Sequence, residues 1–183
     1  FELKEIFTLI FPELKNLKRL ERLSKVCDHS QVSRNVILAT LLIDDKESHE
    51  YFGHKYNISN NVKAYLNSCA KNLELIKENK NFFDIDLEKN VYLHGKDYLI
   101  NLNILHFVLN TKLKLKNFSD ILNKILKSKI HKFKIDGKYL MKLGMHQGLL
   151  MGKVLREIEE EWIRNGFKIT KERIQEIIQS NSN

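Results

Sequence analysis

Gly137-Lys138-Tyr139-Leu140-Met141-Lys142-Leu143-Gly144-Met145-His146-Gln147-Gly148-Leu149-Leu150-Met151-Gly152-Lys153-Val154-Leu155 holds four of the chain's seven glycines. A glycine costs a helix interior about 1 kcal/mol relative to alanine, so this spacing needs a reason other than propensity. The segment lacks the Gly-Lys-Ser/Thr ending and the preceding strand of a phosphate loop, so it is not a nucleotide cradle. It reads instead as two short amphipathic helices joined by a tight turn. Gly144 takes the position of a left-handed residue ending the first, and Gly148 and Gly152, four apart on one face, are expected to admit another backbone. Beyond it, Met151, Val154, Leu155, Ile158 and Trp162 give one buried stripe over 149–165. Gly166 ends that helix, and Thr170 caps a last one through Ile174 and Ile177.

The same helical period extends toward the N-terminus. A single proline and few strand-like alternations predict an all-α, multi-helix array with no catalytic β-sheet head. Leu3, Ile6, Phe7 and Ile10 form a first helix stopped at Pro12. Pro12 then opens a second, carried by Leu14, Leu17, Leu20 and Leu23 to about Val26. Ser30 or Ser33 caps an apolar, central helix at 36–42. Residues 44–57 are polar with a break at Gly53. Ser59 caps a long helix through Val62, Leu66, Cys69, Leu73 and Ile76. A loop at 79–84, a helix at 87–94, a break at Gly95 and an apolar helix to Leu109 follow. Residues 111–117 alternate in period two and read as a basic linker or helix end. A helix through Phe118, Ile121, Leu122 and Ile125 comes next, capped by Asn117 or Ser119. Residues 1–110 form a helical body, and 111–183 a basic helical tail containing the glycine-rich joint.

The 183 residues are 43% hydrophobic, enough for a real core. No run of 18 apolar residues and no signal peptide is present, so neither a membrane span nor export is expected. Cys27 and Cys69 lie outside any Cys-x-x-Cys pattern and read as buried thiols in a reducing compartment, the cytoplasm. The seven histidines (29, 49, 54, 94, 106, 131 and 146) show no metal-ligand spacing, and no metal is implied. Asp84-Ile85-Asp86 has a metal-binding spacing without the strand and glycine context such carboxylates need, and Asp44-Asp45 reads as a solvated pair. Phe1 falls inside an amphipathic pattern, so the chain is expected to be part of a longer protein.

The net charge of +8 is not evenly spread. Residues 111–142 carry ten lysines against two aspartates, whereas 1–110 and 143–183 are each neutral. Codon bias would enrich lysine everywhere; it does not place it. A basic block between neutral neighbours is the footprint of a polyanion.

One pattern brings these readings together: Phe133-x-Ile135-x-Gly137-x-x-Leu140-Met141-x-Leu143-Gly144-x-x-x-Gly148-x-x-x-Gly152-x-x-Leu155-x-x-Ile158-Glu159, then Trp162-Ile163-x-x-Gly166-Phe167. It resembles the C-terminal signature of bacterial tRNA nucleotidyltransferases, the CCA-adding enzymes, which share a family with bacterial poly(A) polymerases. Weaker similarity reaches back through Leu93-His94-Gly95 and the helix at 37–43. The family usually has Gly-Pro where this chain has Gln147-Gly148-Leu149.

The resemblance implies the helical body and tail of such an enzyme, which grip tRNA while a separate head and neck extend its 3′ end. The head's two metal-binding aspartates and the nucleotide-reading neck motifs are absent from this chain. It is therefore expected to be inactive alone, with no catalytic residue and no cofactor; magnesium and CTP or ATP would belong to the head. Lys129, Lys132, Lys134, Lys138, Lys142 and Lys153 are the expected RNA contacts, made to backbone phosphates beside the structural turn of Gly137, Gly144, Gly148 and Gly152. The free N–H groups opening the helix at 149 would add to them. Lysine suits shape-based phosphate contact as a mobile point charge. Phe118, Phe133, Tyr139 and Phe167 read as core rather than as base-stacking platforms. CCA addition and poly(A) addition are not separated by these residues. A reading from another class, a helical protein-binding scaffold with lysines for solubility, calls for a contiguous apolar surface.

Overall fold

A computed structural model describes residues 9–28 and 32–182. Most of the expected first helix, including Leu3, Ile6 and Phe7, lies outside them, as do His29 and Ser30. Among the described residues there are ten helices and no strand. They are α1 (Arg19–Leu23), α2 (Arg34–Leu42), α3 (Ser48–Lys55), α4 (Asn60–Glu78), α5 (Leu87–His94), α6 (Lys96–Leu109), α7 (Leu115–Lys127), α8 (Gly137–Lys142), α9 (Leu149–Arg164) and α10 (Lys171–Ser182). None is long and apolar enough to cross a membrane. The chain divides into two units, Phe1–Lys129 and Ile130–Asn183. The first therefore takes in α7, which the sequence assigned to the tail.

In the first unit α6 occupies the centre, the place expected of α2. It packs against α1, α2, α4, α5 and α7. Its Leu99, Leu102 and Leu105 are fully buried, together with Leu42, Leu66, Cys69 and Ile125 from its neighbours. Burying each leucine contributes about 1.5–3 kcal/mol. Cys69 belongs to this core, whereas Cys27 is half-buried; both are free thiols. Several polar side chains inside the unit are satisfied within it, whereas Thr40 Oγ1, His49 Nδ1 and His106 Nδ1 are buried with no hydrogen-bond partner among the described residues. The Tyr98 hydroxyl meets Ser68 at 2.9 Å and accepts from Asn72 at 2.9 Å, and Asn103 donates to the Phe118 carbonyl at 3.1 Å.

Side-chain caps fall where short-range chemistry puts them. Ser33 accepts from the Val36 N–H and Ser59 from the Val62 N–H, both at 3.4 Å. Asn117 is not the N-cap of α7 but its third residue, and reaches back to accept from the Lys114 N–H at 3.1 Å. Two further expectations fail. Residues 12–18 form turns, leaving α1 only five residues long. There Glu13 pairs with Lys55 at 2.8 Å and Asn16 donates to the Leu41 carbonyl, so tertiary contacts override the leucine period. Gly53 does not break the chain; it lies buried within α3, where an added Cβ would meet Lys63 Cγ at 3.4 Å.

The arginines of α1 serve the ends of other helices. Arg19 donates to the carbonyls of Thr40 and Ile43 at 3.1 and 2.7 Å, at the end of α2. Arg22 donates to those of Phe107, Asn110 and Leu113 at 2.7, 3.0 and 2.6 Å, and its guanidinium lies 4.0 Å above the Phe107 ring. The last carbonyls of a helix have no partner within it and carry partial negative charge, which a guanidinium satisfies on both counts.

In the second unit α9 packs against α8 and α10 over an aliphatic core of Leu140, Met145, Val154, Ile158, Ile174, Ile177 and Ile178. Asp136 caps α8 by accepting from the Tyr139 N–H at 2.8 Å. Gly144 then ends it at φ +95° with two bonds that close back: its own N–H to Met141 and that of Met145 to Leu140. The buried pair Met145 and Leu140 completes this Schellman motif. Thr170 accepts from the Arg173 N–H at 3.3 Å at the start of α10.

Candidate nucleic-acid interface

Between α7 and α8 the chain runs without helix, and from 131 to 136 exposure alternates. His131, Phe133 and Ile135 are half-buried; Lys132, Lys134 and Asp136 are exposed. This period-two segment lays one side on the second unit and leaves the other to solvent. The Phe167 ring lies over His131, Trp162 meets Phe167 edge-on at 4.9 Å, and Phe133 lies 5.3 Å from Trp162.

Phe167 is held there by the end of α9. Gly166, at φ +64°, donates to the Ile163 carbonyl, and Phe167 donates to that of Trp162 at 2.8 Å. Phe167 itself has φ +64°, a region that side-chain-bearing residues rarely occupy. The aromatic set lines a groove of about 660 Å³ with Lys132, Lys134 and Lys171 on its wall. No aspartate or glutamate is among the described residues lining it.

The six expected lysines are all exposed and are carried by different segments of the chain. Lys132 and Lys134 line the aromatic groove. Lys138 and Lys142 lie one turn apart on α8. Lys153 borders a different groove, of about 510 Å³, with Arg156, Glu157 and Glu160. Lys129 is the last residue of the first unit. Among the described residues none of the six has an ion-pair partner, and of the ten lysines at 112–142 Lys124 alone does, with Asp84 at 3.0 Å. Lys171 and Arg156 lie in the charge-neutral stretch 143–183, so charge density along the chain does not single them out. The alternation at 131–135, the same signal read at 111–117, pointed to the strip.

The glycines divide by role. Gly144 is the turn residue expected. Gly148 and Gly152 are not a close-approach face: Gly148 is the extended N-cap of α9, and a Cβ on either meets no described atom within 4 Å. The close approach is at Gly137, where a Cβ would lie 2.8 Å from Met151 Sδ. The first turn of α9 has neither a side-chain cap nor an acidic residue, so its N–H groups keep the positive end of the helix dipole unopposed.

The acidic pairs have other work. Asp84 holds Lys124, and Asp86 accepts from Asn79 at 2.8 Å. Asp44 accepts from the Ser48 hydroxyl at 2.7 Å and from the N–H groups of Ser48 and Lys46. Burial alone would raise its pKa, but these bonds hold the carboxyl below its ordinary value. Among the described residues no group of three His, Cys, Asp or Glu gathers as metal ligands. The first unit has its own cavity, about 670 Å³, with a mixed wall: the carboxylates Asp44, Asp45, Glu47, Glu50 and Glu74 share it with Arg19, Lys71, Lys77 and Lys112.

The described residues thus give an all-helical chain whose second unit carries a basic groove that no described carboxylate lines. The chain belongs to the tRNA nucleotidyltransferase domain 2 family, whose model matches residues 29–178. No curated protein and no solved structure matches it.

Proposed function

We propose that this chain is the tRNA-binding body and tail of a cytoplasmic CCA-adding nucleotidyltransferase, or the same region of a poly(A)-adding one. The head and neck, with their magnesium and CTP or ATP, belong to the rest of the enzyme, and this part is inactive alone. One observation supports the reading beyond family membership: lysines 129, 132, 134, 138, 142 and 153 stand exposed and, among the described residues, without carboxylate partners. Unneutralised lysines release counterions when they meet phosphates, whatever the base sequence. This suits a partner recognised by shape.

The test is tRNA affinity measured against salt. Binding is expected to weaken steeply as salt rises and to fall when Lys138, Lys142 and Lys153 are changed together to glutamate. Salt-insensitive binding, or no loss in that variant, overturns the reading. A protein-binding scaffold has one observation in its favour, the exposure of Leu149 and Leu150 at the start of α9. It is favoured if the chain binds no tRNA even at low salt, while a protein that it captures is lost on combining Leu149→Ser with Leu150→Ser. Incubating the whole enzyme with tRNA and either CTP or ATP separates CCA from poly(A) addition.

A further inference from the structure

All four aromatic residues of the second unit, Phe133, Tyr139, Trp162 and Phe167, line the same groove. Its buried core, by contrast, is wholly Leu, Ile, Val and Met. Aromatic rings are the side chains that contribute most when buried, yet here they are gathered half-buried around an opening. Phe167 takes a left-handed backbone conformation, at an energetic cost, to bring its ring onto His131. Such local strain is concentrated at binding and catalytic sites.

The charges around the rings point the same way. Lys132 and Lys134 alternate with His131 and Phe133 along an extended strip, so their Cα atoms are about 6.6 Å apart. That is comparable with the separation of successive phosphates along a single strand. Lys171 adds a third positive charge, and no described carboxylate lines the groove.

Resting on the RNA-binding reading but going beyond phosphate contact, we propose that this groove takes an unstacked nucleobase from a looped or single-stranded part of the bound RNA. The base lies against the aromatic wall, and its flanking phosphates meet Lys132 and Lys134. Aromatic side chains stack on any base, so the site discriminates base from no base rather than one base from another.

Trp162 is the chain's only tryptophan and lines the groove, so its fluorescence reports occupancy. The whole chain is titrated with a labelled single-stranded oligoribonucleotide, with an abasic strand of equal length, and with AMP. Anisotropy follows binding of the two strands, and Trp162 emission follows all three ligands. The base-bearing strand is expected to quench Trp162 and to bind about five- to a hundred-fold more tightly than the abasic one. The abasic strand should bind without quenching, and AMP should quench only at far higher concentration, marking RNA rather than free nucleotide as the ligand. His131→Leu, which keeps an apolar contact to Phe167 without a π face, should bring base-bearing affinity toward the abasic value. If circular dichroism shows that variant unfolded, the wild-type comparison decides by itself. Equal affinities for the two strands, or saturation without quenching, overturn the proposal while leaving the RNA-binding reading intact. If neither strand binds in a salt-sensitive way, both fall.

Discussion

The ring of Phe167 lies flat on the imidazole of His131, with centroids 3.7 Å apart and planes within 6°. This pair clamps the extended strip to the end of α9, because Phe167 is fixed by its own N–H bond to the Trp162 carbonyl. The strip's two lysines therefore project from a braced backbone. Less conformational freedom is lost on binding when charged groups are carried this way.

Gly144 and Gly152 respond oppositely to alanine. A Cβ meets no described atom within 4 Å at either, so conformation alone decides. At φ +95°, Gly144→Ala should lose about 1 kcal/mol. Within α9, Gly152→Ala should gain about 0.5–1 kcal/mol. Chemical denaturation of both variants checks the pair; equal signs would contradict the turn geometry.

Arg22→Met should destabilise the first unit by about 2–3 kcal/mol, because three carbonyls lose a charged donor. Arg22→Lys should recover only part of this, since an ammonium cannot span the three with a planar fork. Denaturant midpoints at constant slope provide the measurement.

Burial, partly offset by hydrogen bonds with Ser68 and Asn72, pushes the Tyr98 phenol from 10.0 up to about 12. The folded value lies above the unfolded one, so this contribution is complete below pH 10 and disappears as pH climbs toward 12. Stability should fall there by about 1.4 kcal/mol per pH unit for each such group. Tyr98→Phe should make the alkaline decline shallower in denaturation measured across that window.

The two grooves should contribute unequally to RNA affinity. Lys132→Gln and Lys134→Gln should each lower the slope of log affinity against log salt by about 0.9, or by about 0.7 for single strands. Lys153→Gln should lower it less, because Glu157 and Glu160 already oppose phosphate beside Lys153. Salt titrations of the three variants distinguish the positions.

Local chemistry was legible in the chain. Ser33, Ser59 and Thr170 cap helices, and Gly95, Gly144 and Gly166 end them at positive φ, because each decision involves residues within one turn. What escaped is non-local. Nothing near Arg22 announces carbonyls some 85 to 91 positions away, and nothing near His131 announces Phe167. The leucine period at 14–23 was misleading for the same reason, since Glu13 and Asn16 are drawn into contacts elsewhere in the first unit. For the candidate site, the lysines could be named from charge density, but which of them line a groove depends on the strip and the helices that carry them.

Arg19 and Arg22 precede the stretch of family similarity, which begins at residue 29. A shortened protein cut to 29–178 would nevertheless keep the carbonyls of Thr40, Ile43, Phe107, Asn110 and Leu113 and lose the guanidinium groups that meet them. Two helices would fray at their exits together, although every residue of each had been retained. The smallest autonomously folding piece is thus set by where those ends are tied, and expression boundaries chosen by similarity alone would fall on the wrong side of the knot.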